Sequence, residues 1–377
     1  MKSTNHPSYP PEAWSGTPVE VLLEVRQDDE RPIKMVGNFN DWNLDYGFIS
    51  FQKISPGKYR GFLPPFFRDH GEMIYKYTKG DWDDLEADEY GTLSFERKVD
   101  LKKVGKTIED KVSRWLSDGK GYDEALLPII KILPDDLGMP SLIKTRRIAA
   151  LLPHDYETSG KHYPVLYLQD GQNLFDDYAP FGNWAVDKKL AVLAEKLQHE
   201  VIVVAIDHAK EQRISEFTPS HNTKLGIGDG KKYARFLADN LKPYIDKNFR
   251  TKPERRFTGI GGSSMGGLIS LYAAWLYPEV YSKLMIMSPS LWVDPDLISK
   301  SGFINDKTPF KLYLYAGMQE GASLISLTDR LEKAILERTK TGWQAEVKKC
   351  IEPLGKHNEN DWGRAFPKAL KWLYFEK

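Results

Sequence analysis

A serine stands where the chain turns from a predicted strand into a predicted helix. Gly262-Ser263-Ser264-Met265-Gly266 fits the pattern G-x-S-x-G, and an apolar helical segment follows it. Small flanking residues leave room for a tight turn, which exposes the Ser264 hydroxyl at the edge of the sheet. The first turn of the helix also offers the backbone N–H of Met265 to a developing oxyanion. The pattern therefore predicts nucleophilic attack by Ser264 on an acyl carbonyl.

A nucleophilic serine needs a base, and the base needs an acid that orients it. His357 is the only histidine after Ser264, and it lies in a polar loop between the last predicted strand and a terminal helix predicted from Phe366. Glu320 follows the penultimate predicted strand, so the chain order is serine, acid, histidine, as this serine motif leads us to expect. We therefore predict Ser264 as nucleophile, His357 as base and Glu320 as acid.

Other interpretations of the same residues stay open. Asp329 and Glu359 are rivals for the role of the acid, and a histidine in a polar loop is often only solvated. Gly259-Ile260-Gly261 also begins the dinucleotide-binding pattern G-x-G-x-x-G, and Glu279 lies 20 residues beyond Gly259, but Ser264 occupies the place of the third glycine. Plain packing of these glycines is a further alternative.

A second oxyanion donor is expected on the loop after an earlier strand. The apolar stretch YPVLYLQ runs into Asp170-Gly171-Gln172-Asn173. Gly171 allows the backbone to present the N–H of Gln172 toward Ser264. An ordinary Asp-Gly surface turn is the alternative. The position directly after a central strand favours the functional interpretation.

These residues need a sheet that holds them together. From about residue 143 onward, the predicted strands are RRIAALL, YPVLYLQ, EVIVVAID, RRFTGIGG, KLMIMSPS, FKLYLYAG and AEVKKCIEP. The predicted helices are VDKKLAVLAEKLQ, DGKKYARFLADNLKPYIDKNF, MGGLISLYAAWLYP and SLTDRLEKAILERT. The alternation predicts an α/β fold with a mostly parallel sheet and helices on both faces. In such sheets the ligand site lies at the carboxyl ends of the strands.

The first hundred residues have a different pattern. Residues 17–99 contain short alternating strands separated by turn residues, which predicts a small β-sandwich of about immunoglobulin size. Residues 101–140 carry scattered turn residues and weak periodicity, and we predict an interdomain linker there. The expected organisation is a tail over 1–16, the sandwich over 17–100, the linker over 101–140 and an α/β domain over 141–377.

The composition excludes several classes of protein. The 377 residues are 41% hydrophobic and 28% charged, as in a folded globular protein. The 53 basic and 53 acidic residues cancel, so neither nucleic acid nor an anionic membrane is an expected partner. A single cysteine excludes an intramolecular disulfide and any multi-cysteine zinc or iron–sulfur site. We expect no metal and no organic cofactor, and the oligomeric state stays open.

The compartment is equally open. No stretch reaches about 18 uninterrupted apolar residues, and the first 20 residues contain no apolar signal-peptide core. As written, the chain is expected to be cytoplasmic, or secreted or periplasmic if a signal peptide has been removed.

The region from about residue 131 to residue 377 resembles the esterase D family of α/β-hydrolases, which includes enterochelin esterases, feruloyl and acetylxylan esterases and S-formylglutathione hydrolase. The matching stretches are TRRIAALLPHDYE, YPVLYLQDGQNLFDD, GNWAVDKKL, GIGGSSMGGLISLYAAWLYPEVY, SPSLW and GKHNENDWGRAFPKALKWL. The resemblance implies the same nucleophile, base, acid and backbone donors as above, in an α/β-hydrolase esterase domain. The residues that it places around the substrate are Gly171, Asn173, Arg213, Glu216 and Trp292.

The chain departs from the family pattern in two places. Many relatives have an aspartate where this chain has Glu320, which is a mild chemical change. An aromatic residue often follows the position of Glu359, where this chain has Asn360 and Asp361. The second departure concerns the rim of the expected pocket.

The first domain resembles the early-set, glycogen-binding type of carbohydrate-binding module. The likeness is carried by MVGNFNDWN, residues 35–43, and YKYTKGDWDDLEADEYG, residues 75–91. Such modules can stack sugar rings on tryptophan and tyrosine, yet Trp42 in this motif is often part of the sandwich core. Polysaccharide binding therefore competes with a docking or substrate-shaping role.

The predicted function is hydrolysis of a carboxylic ester through a serine acyl-enzyme. The expected substrates are acyl or feruloyl esters of carbohydrate, or other short-chain esters. Three alternatives stay open: an acyltransferase with the same Ser-His-Glu residues, a non-catalytic carbohydrate-binding protein, and a nucleotide-dependent dehydrogenase.

Overall fold

The computed structural model describes residues 16–376, apart from 27, 30, 45–48, 92, 95, 135–145, 178, 180–181, 198–199, 301–308, 341 and 343. The chain divides into two compact units, Met1–Tyr122 and Asp123–Lys377. The predicted tail over 1–16 lies outside the described residues except for Gly16, and so does the end of the predicted linker, from residue 135.

The first unit is built from short strands. They are β1 (Val19–Val25), β2 (Lys34–Gly37), β3 (Gln52–Ser55), β4 (Lys58–Leu63), β5 (Glu72–Thr78), β6 (Glu86–Ala87), β7 (Arg97–Asp100), β8 (Thr107–Val112) and β9 (Arg114–Trp115). Short 3-10 helices lie between them at Asn38–Asn40, Pro65–His70 and Trp82–Asp84, and a further one, Leu116–Asp118, follows β9.

These strands form sheets in the orders β3-β4-β1-β8, β2-β5-β7 and β6-β9. Alternate residues of β1 are buried, from Val19 to Val25, as its period of two predicts. Side chains of the two larger sheets share one hydrophobic core. The first unit is thus a small β structure, and its immunoglobulin-like topology stays a prediction.

A buried group of charges joins the strands of this first unit. Arg97 on β7 donates from Nη2 to Glu86 Oε2 at 2.7 Å and from Nη1 to Asp110 Oδ1 at 2.9 Å. The hydroxyls of Tyr75 and Tyr77 both donate to Asp110 Oδ2 at 2.7 Å. Because Asp110 belongs to one sheet and the tyrosines and Arg97 to the other, this network ties the two sheets together.

The second unit contains a mixed sheet of eight strands. They are β10 (Ile129–Ile132), β11 (Ile148–Leu152), β12 (Val165–Gln169), β13 (Ile202–Ile206), β14 (Thr258–Ser263), β15 (Lys283–Met287), β16 (Phe310–Gly317) and β17 (Ala345–Glu352). Their order is β10-β11-β13-β12-β14-β15-β16-β17. β11 runs antiparallel to both of its neighbours, and the pairs from β13 to β17 are parallel. The mostly parallel sheet that the sequence predicts is confirmed.

Helices cover both faces of this sheet. They are α1 (Tyr156–Ser159), α2 (Val186–Leu197), α3 (Arg213–Phe217), α4 (Gly230–Arg235), α5 (Lys242–Asn248), α6 (Met265–Leu276), α7 (Asp296–Lys300), α8 (Ala322–Thr339) and α9 (Glu359–Tyr374). A π-helical turn, Phe236–Leu241, joins α4 to α5, and 3-10 turns lie at Glu124–Leu126, Gly171–Asn173, Lys210–Gln212, Arg255–Phe257 and Met318–Glu320.

The strands of the second unit alternate between two cores. Val165 and Tyr167 pack in a core with side chains of α4, α6 and α8. Leu166 and Leu168 pack on the other face with side chains of α2 and α9. Strands buried on both faces explain the continuous apolar runs of the sequence.

The linker predicted over 101–140 contains strands of both units. β8 pairs in parallel with β1, and β10 pairs antiparallel with β11 at the edge of the large sheet. The side chains of Ile130 and Ile132 on β10 are exposed. The run Ile-Ile-Lys-Ile is itself a strand signal in the sequence, although most of its side chains are exposed at the sheet edge.

The last helix begins earlier than predicted. α9 starts at Glu359 rather than at Phe366, because the side chain of Asn358 accepts the N–H of Asp361 at 3.0 Å and caps the helix. Acidic residues in the first turn favour this start. The loop that carries His357 is therefore short.

Candidate active site

The candidate site lies at the carboxyl ends of the parallel strands. Ser264 follows β14, the segment from Ser288 follows β15, Glu320 follows β16, and His357 follows β17. The turn Gly171–Asn173 follows β12. Parallel strands bring these loops to one edge, where open α/β sheets bind ligands.

Ser264 has an unusual backbone. Its φ of 54° and ψ of −122° lie outside the regions that non-glycine residues commonly adopt. The neighbouring glycines are required by close approach: a Cβ on Gly262 would lie 2.9 Å from the carbonyl carbon of Gly266, and a Cβ on Gly266 would lie 2.9 Å from Asp170 Oδ2. The G-x-S-x-G pattern thus reflects a crowded turn that holds the serine in strain.

The structure brings the three predicted catalytic residues together. His357 Nε2 lies 2.9 Å from Ser264 Oγ, and His357 Nδ1 contacts Glu320 Oε2. The side chain of Glu320 is 2% exposed, whereas that of His357 is 46% exposed. The acid is enclosed, the base is exposed, and Ser264 is half-buried.

Two donors hold the second oxygen of Glu320. Its Oε1 accepts the Ser288 hydroxyl at 2.6 Å and the N–H of Gly317 at 2.7 Å. The indole N–H of Trp362 donates to Ser288 Oγ at 2.9 Å, and the Trp362 ring lies edge-on to the His357 ring with centroids 4.8 Å apart. Ser288, Gly317 and Trp362 therefore position the acid and the base.

The rival acids, Asp329 and Glu359, accept hydrogen bonds from residues other than His357. Asp329 accepts from Lys349 Nζ at 2.8 Å, and Glu359 accepts from Asn173 Nδ2 at 3.1 Å. Burial, followed by the charge of Asp170, raises the pKa of Glu359. Glu359 thus sits at the same edge as His357 but on the side of the Gly171–Asn173 turn.

The dinucleotide-binding interpretation is wrong for these glycines. Gly259 and Gly261 lie inside β14, not in a turn. A Cβ on Gly261 would lie 2.4 Å from the Met285 carbonyl oxygen, and one on Gly259 would lie 2.1 Å from the Tyr374 hydroxyl. They are small because a neighbouring strand and a helix pack against them.

The predicted oxyanion donors occupy helix starts. Met265 is the first residue of α6, and Gln172 lies in the 3-10 turn after β12. N–H groups at such positions have no partner within the helix. A Cβ on Gly171 would lie 2.8 Å from the Ile206 nitrogen, so this glycine lets the turn pack closely on β13.

Two of the residues expected around the substrate, Arg213 and Glu216, are paired with oppositely charged side chains. Asp170, with a φ of 57°, accepts from Arg213 Nε at 2.7 Å and from Nη2 at 2.8 Å. Glu216 is buried, and both of its oxygens accept from Arg146 at 2.7 Å. Its place beside a substrate stays a prediction.

Trp292 is the exposed residue of this group. It lies in the turn that follows Ser290, and 47% of its surface is exposed. Ser290 Oγ lies 3.3 Å from Ser264 Oγ, and the Ser290 N–H donates to the Ser264 carbonyl at 3.0 Å. The segment from Ser288 to Trp292 thus touches both acid and nucleophile. The stretch SPSLW at the end of a predicted strand was the signal for it.

Away from the candidate active site, His154, Asp155 and Glu200 form a cluster of the kind that can hold a metal ion. His154 follows β11 and Glu200 precedes β13, so the cluster lies at the sheet edge opposite to Ser264. The ammonium of Lys161 lies 2.7 Å from Asp155 Oδ2 and 3.5 Å from Glu200 Oε2. A cation of the protein itself already neutralises these carboxylates. Within the described residues, no helix is long and apolar enough to cross a bilayer.

Residues 140–373 match the family model described as "Putative esterase". The chain belongs to this esterase family. The match covers most of the second unit, which includes all of the site residues named above. The predicted enzyme class is confirmed: the protein is a carboxylic ester hydrolase.

Known relatives of this esterase differ in how much of it they cover. The uncharacterized protein YbbA of Bacillus subtilis is 26% identical over 246 residues, which are 61% of this chain and 92% of YbbA. The iron(III) salmochelin esterase of Escherichia coli is 26% identical over 165 residues, which are 43% of this chain and 36% of that enzyme. The esterase thus spans about a third of the length of this second relative.

A solved structure supports the fold. The BES protein from Bacillus cereus has a TM-score of 0.52 and 21% identity to this esterase, covering 66% of this chain and 94% of its own. At this identity the likeness bears on the fold alone. It agrees with a mixed sheet flanked by helices.

Proposed function

We propose that this esterase acts through a serine acyl-enzyme, with Ser264 as nucleophile, His357 as base and Glu320 as orienting acid. The observation that carries the proposal is the continuous line of contacts from Glu320 through the His357 ring to the Ser264 hydroxyl, 2.9 Å from Nε2. A base removes a proton over about 2.6–3.2 Å between heavy atoms. The strained backbone of Ser264 supports the same role.

In the first half-reaction, Ser264 Oγ forms a bond to the acyl carbon while His357 Nε2 takes the hydroxyl proton. The electron pair of the carbonyl moves to its oxygen, which accepts hydrogen bonds from the N–H groups of Gln172 and Met265. His357 then gives the proton to the alcohol oxygen as the ester C–O bond breaks. Glu320 keeps Nδ1 protonated and stabilises the imidazolium that forms.

In the second half-reaction, water attacks the acyl-enzyme. His357 takes a proton from the water as its oxygen bonds to the acyl carbon, and returns it to Ser264 Oγ as the acid leaves. This sequence requires no group from outside the protein except water. An alcohol in place of water would make the same enzyme an acyltransferase.

We propose an ester with a flat apolar group as the substrate class. Trp292 presents an exposed indole close to Ser290, and Met318 is exposed directly after β16. Aromatic surfaces of this kind bind rings through large apolar contact. Catecholate siderophore esters and feruloyl esters carry such rings, and the salmochelin esterase is a relative in sequence.

A substrate panel tests both proposals. We expect p-nitrophenyl acetate turnover that Ser264→Ala abolishes, and labelling of Ser264 by a fluorophosphonate probe. Wild type and Ser264→Ala with equal, substantial rates would refute the acyl-enzyme. Comparison of a trilactone siderophore, methyl ferulate, acetylated xylan and p-nitrophenyl esters by kcat/KM then identifies the substrate class. A new ester formed from added alcohol, in preference to free acid, would favour the acyltransferase.

We also propose that the first unit binds carbohydrate. The supporting observation is the exposed indole of Trp82, which lies in the stretch 75–91 that resembles glycogen-binding modules. Exposed indoles can stack on the apolar face of a sugar ring. Retention on immobilised amylose or xylan, lost in Trp82→Ala, is the expected result. Equal retention of both proteins, or of neither, would refute it.

A further inference from the structure

A second histidine lies at the catalytic edge, and the proposed mechanism does not use it. His208 comes two residues after β13, whose carboxyl end lies beside that of β12. The backbone N–H of His208 donates to Gln172 Oε1 at 3.2 Å, so His208 contacts the residue proposed as an oxyanion donor. Asp170, two residues before Gln172, approaches the turn that carries Ser264 through Gly266. The side chain of His208 is half-buried.

The structure also determines which ring nitrogen carries the proton. The backbone N–H of Lys210 donates to His208 Nδ1 at 2.9 Å. An accepting Nδ1 has no proton of its own, so the proton of the neutral ring is on Nε2. Lys210 has a φ of 47°, a strained conformation for a non-glycine residue, and this turn brings its N–H to the ring.

The surroundings of His208 favour the neutral ring. Burial lowers its pKa, and the guanidinium groups of Arg213 and Arg146 act in the same direction, while the carboxylates of Asp170 and Asp207 oppose them. The net effect is a pKa below the ordinary value of 6.5. At neutral pH the ring therefore offers one donor, Nε2–H. Among the described residues no acceptor is hydrogen-bonded to it.

We propose that His208 is a specificity-determining residue, whose Nε2–H binds an acceptor oxygen of the substrate other than the scissile carbonyl. Such an oxygen belongs to a hydroxyl, an ether or a second carbonyl next to the ester. This inference rests on the proposed function, because it assumes that the ester lies between Ser264 and the Gly171–Asn173 turn. It predicts a preference for oxygen-bearing esters over alkyl esters of the same shape.

Two pairs of isosteric esters test this preference on either side of the ester bond. On the acyl side, p-nitrophenyl methoxyacetate is compared with p-nitrophenyl butyrate. On the alcohol side, 2-methoxyethyl acetate is compared with butyl acetate. The measured quantity is the ratio of kcat/KM within each pair, for each variant relative to wild type. The intrinsic reactivity of each ester cancels in this comparison.

Matched substitutions separate the donor from the turn. In His208→Asn the side-chain oxygen can still accept the Lys210 N–H, and the amide nitrogen supplies a donor. His208→Asp retains the acceptor but has no donor. The backbone N–H that holds Gln172 remains in both. His162→Asn, at an exposed histidine, is the control for histidine replacement as such.

We expect His208→Asp to lower the ratio in one pair by about three- to tenfold, as the loss of one neutral hydrogen bond would. His208→Asn should retain most of the wild-type ratio, and His162→Asn should not change it. The pair that responds identifies the side of the ester that His208 contacts. Ratios that stay equal to wild type in both pairs would overturn the proposal.

The outcome is distinguishable from failure of the proposed function. Hydrolysis of p-nitrophenyl butyrate that depends on Ser264 establishes the acyl-enzyme, and unchanged ratios then count against His208 alone. Long-range ¹H–¹⁵N correlation spectra of the imidazole rings give a readout that needs no turnover. A neutral Nε2–H ring for His208 at pH 7.5 is expected. A protonated ring, or one with its proton on Nδ1, would overturn the proposal whatever the activity.

Discussion

Each unit contains a carboxylate network, and the two networks differ in how they end. In the first unit, Glu86 is 1% exposed and every member of the network around Arg97 meets another member inside the protein. At the candidate site, the side chain of Glu320 is similarly enclosed, but the line of contacts ends at an imidazole that is 46% exposed. A closed network can only stabilise. An open one retains hydrogen-bonding capacity for a substrate.

The charges of the closed network depend on one another. Burial raises the pKa of Glu86, and Arg97 lowers it. The pKa of Arg97 in turn lies above its ordinary value, because the charges of Glu86 and Asp110 outweigh its desolvation. Removing one partner leaves an uncompensated buried charge, which typically costs about 3–5 kcal/mol. The candidate site differs from this network, because its unfavourable feature is the strained backbone of Ser264 rather than a buried charge.

The largest expected effect is on activity. Ser264→Ala should lower kcat for p-nitrophenyl acetate by up to about a million-fold, because the nucleophile and base act as one unit. The same variant should not lower the free energy of unfolding, since the substitution leaves no buried charge without its partner. Urea unfolding checks the second point. A large loss of stability would mean that the open network is also structural, and the comparison would fail.

Removing the centre of the closed network should have the opposite result. We expect Arg97→Met to destabilise the first unit by about 3–5 kcal/mol, because the buried Glu86 and the partly buried Asp110 lose their cation. Ester turnover below the unfolding transition should stay near wild type, since the proposed catalytic residues lie in the second unit. Lys111→Met, which breaks an exposed pair with Glu24, is the control and should cost at most about 1 kcal/mol.

A smaller effect is expected at the enclosed end of the proposed catalytic network, where Ser288 holds Glu320. Ser288→Ala removes one of the donors to Glu320 Oε1, and a hydrogen bond to a charged group contributes about 1.5–3 kcal/mol. We expect kcat to fall about 10- to 100-fold with little change in KM, because Ser288 positions the acid and does not reach the ester. A KM that rises while kcat is unchanged would contradict this assignment.

The smallest effect concerns Glu359, at the rim of the open network. Its pKa is raised by burial, so the folded state binds a proton more readily than the unfolded state. This contribution lowers stability as the pH rises from about 4.5 through the folded pKa, and the loss persists at higher pH. Glu359→Gln can still accept from Asn173, and it should flatten this part of the pH profile.

Thermal unfolding from pH 4.5 to 8 measures the effect. The free energy of unfolding of the wild type, relative to that of Glu359→Gln, should decrease as the pH rises. A difference that is constant, or that changes in the other direction, would show that desolvation of Glu359 is not the dominant influence. Glu254→Gln, at an exposed carboxylate outside the site, is the matched control.

Local patterns predicted the elements of the second unit well. Seven predicted stretches became the seven strands from β11 to β17. Most of them are buried on both faces and leave apolar runs, whereas the edge strand β17 alternates between charged and apolar residues. The edge strand β10 was missed although Ile129–Ile132 form a short β-branched run between Pro128 and Pro134, because the stretch was assigned to the predicted linker. The start of α9 was missed although Asn358 and the acidic residues after it form a cap signal.

The candidate site also contains features that the sequence predicted and features that it did not. The turn at Ser264 was predictable, because the small residues that permit it lie within two positions of the serine. The partner of Glu216 was not predictable, since a family motif indicates proximity to the site but not the contacts of a side chain. Its pairing with Arg146 spans 70 positions of the chain. Ser288 and His208 became visible only through contacts between separate strands.

The sequence by itself determined where strands and helices form and that a serine stands at a strained turn between them, because periodicity and small residues act over a few positions. Only the tertiary structure decided that Glu320, rather than Asp329 or Glu359, meets His357. The contacts from His357 to Ser264 and to Glu320 span 93 and 37 positions. They exist because β14, β15, β16 and β17 lie side by side and end at one edge, an order that hydrogen bonding between strands sets and no local pattern encodes.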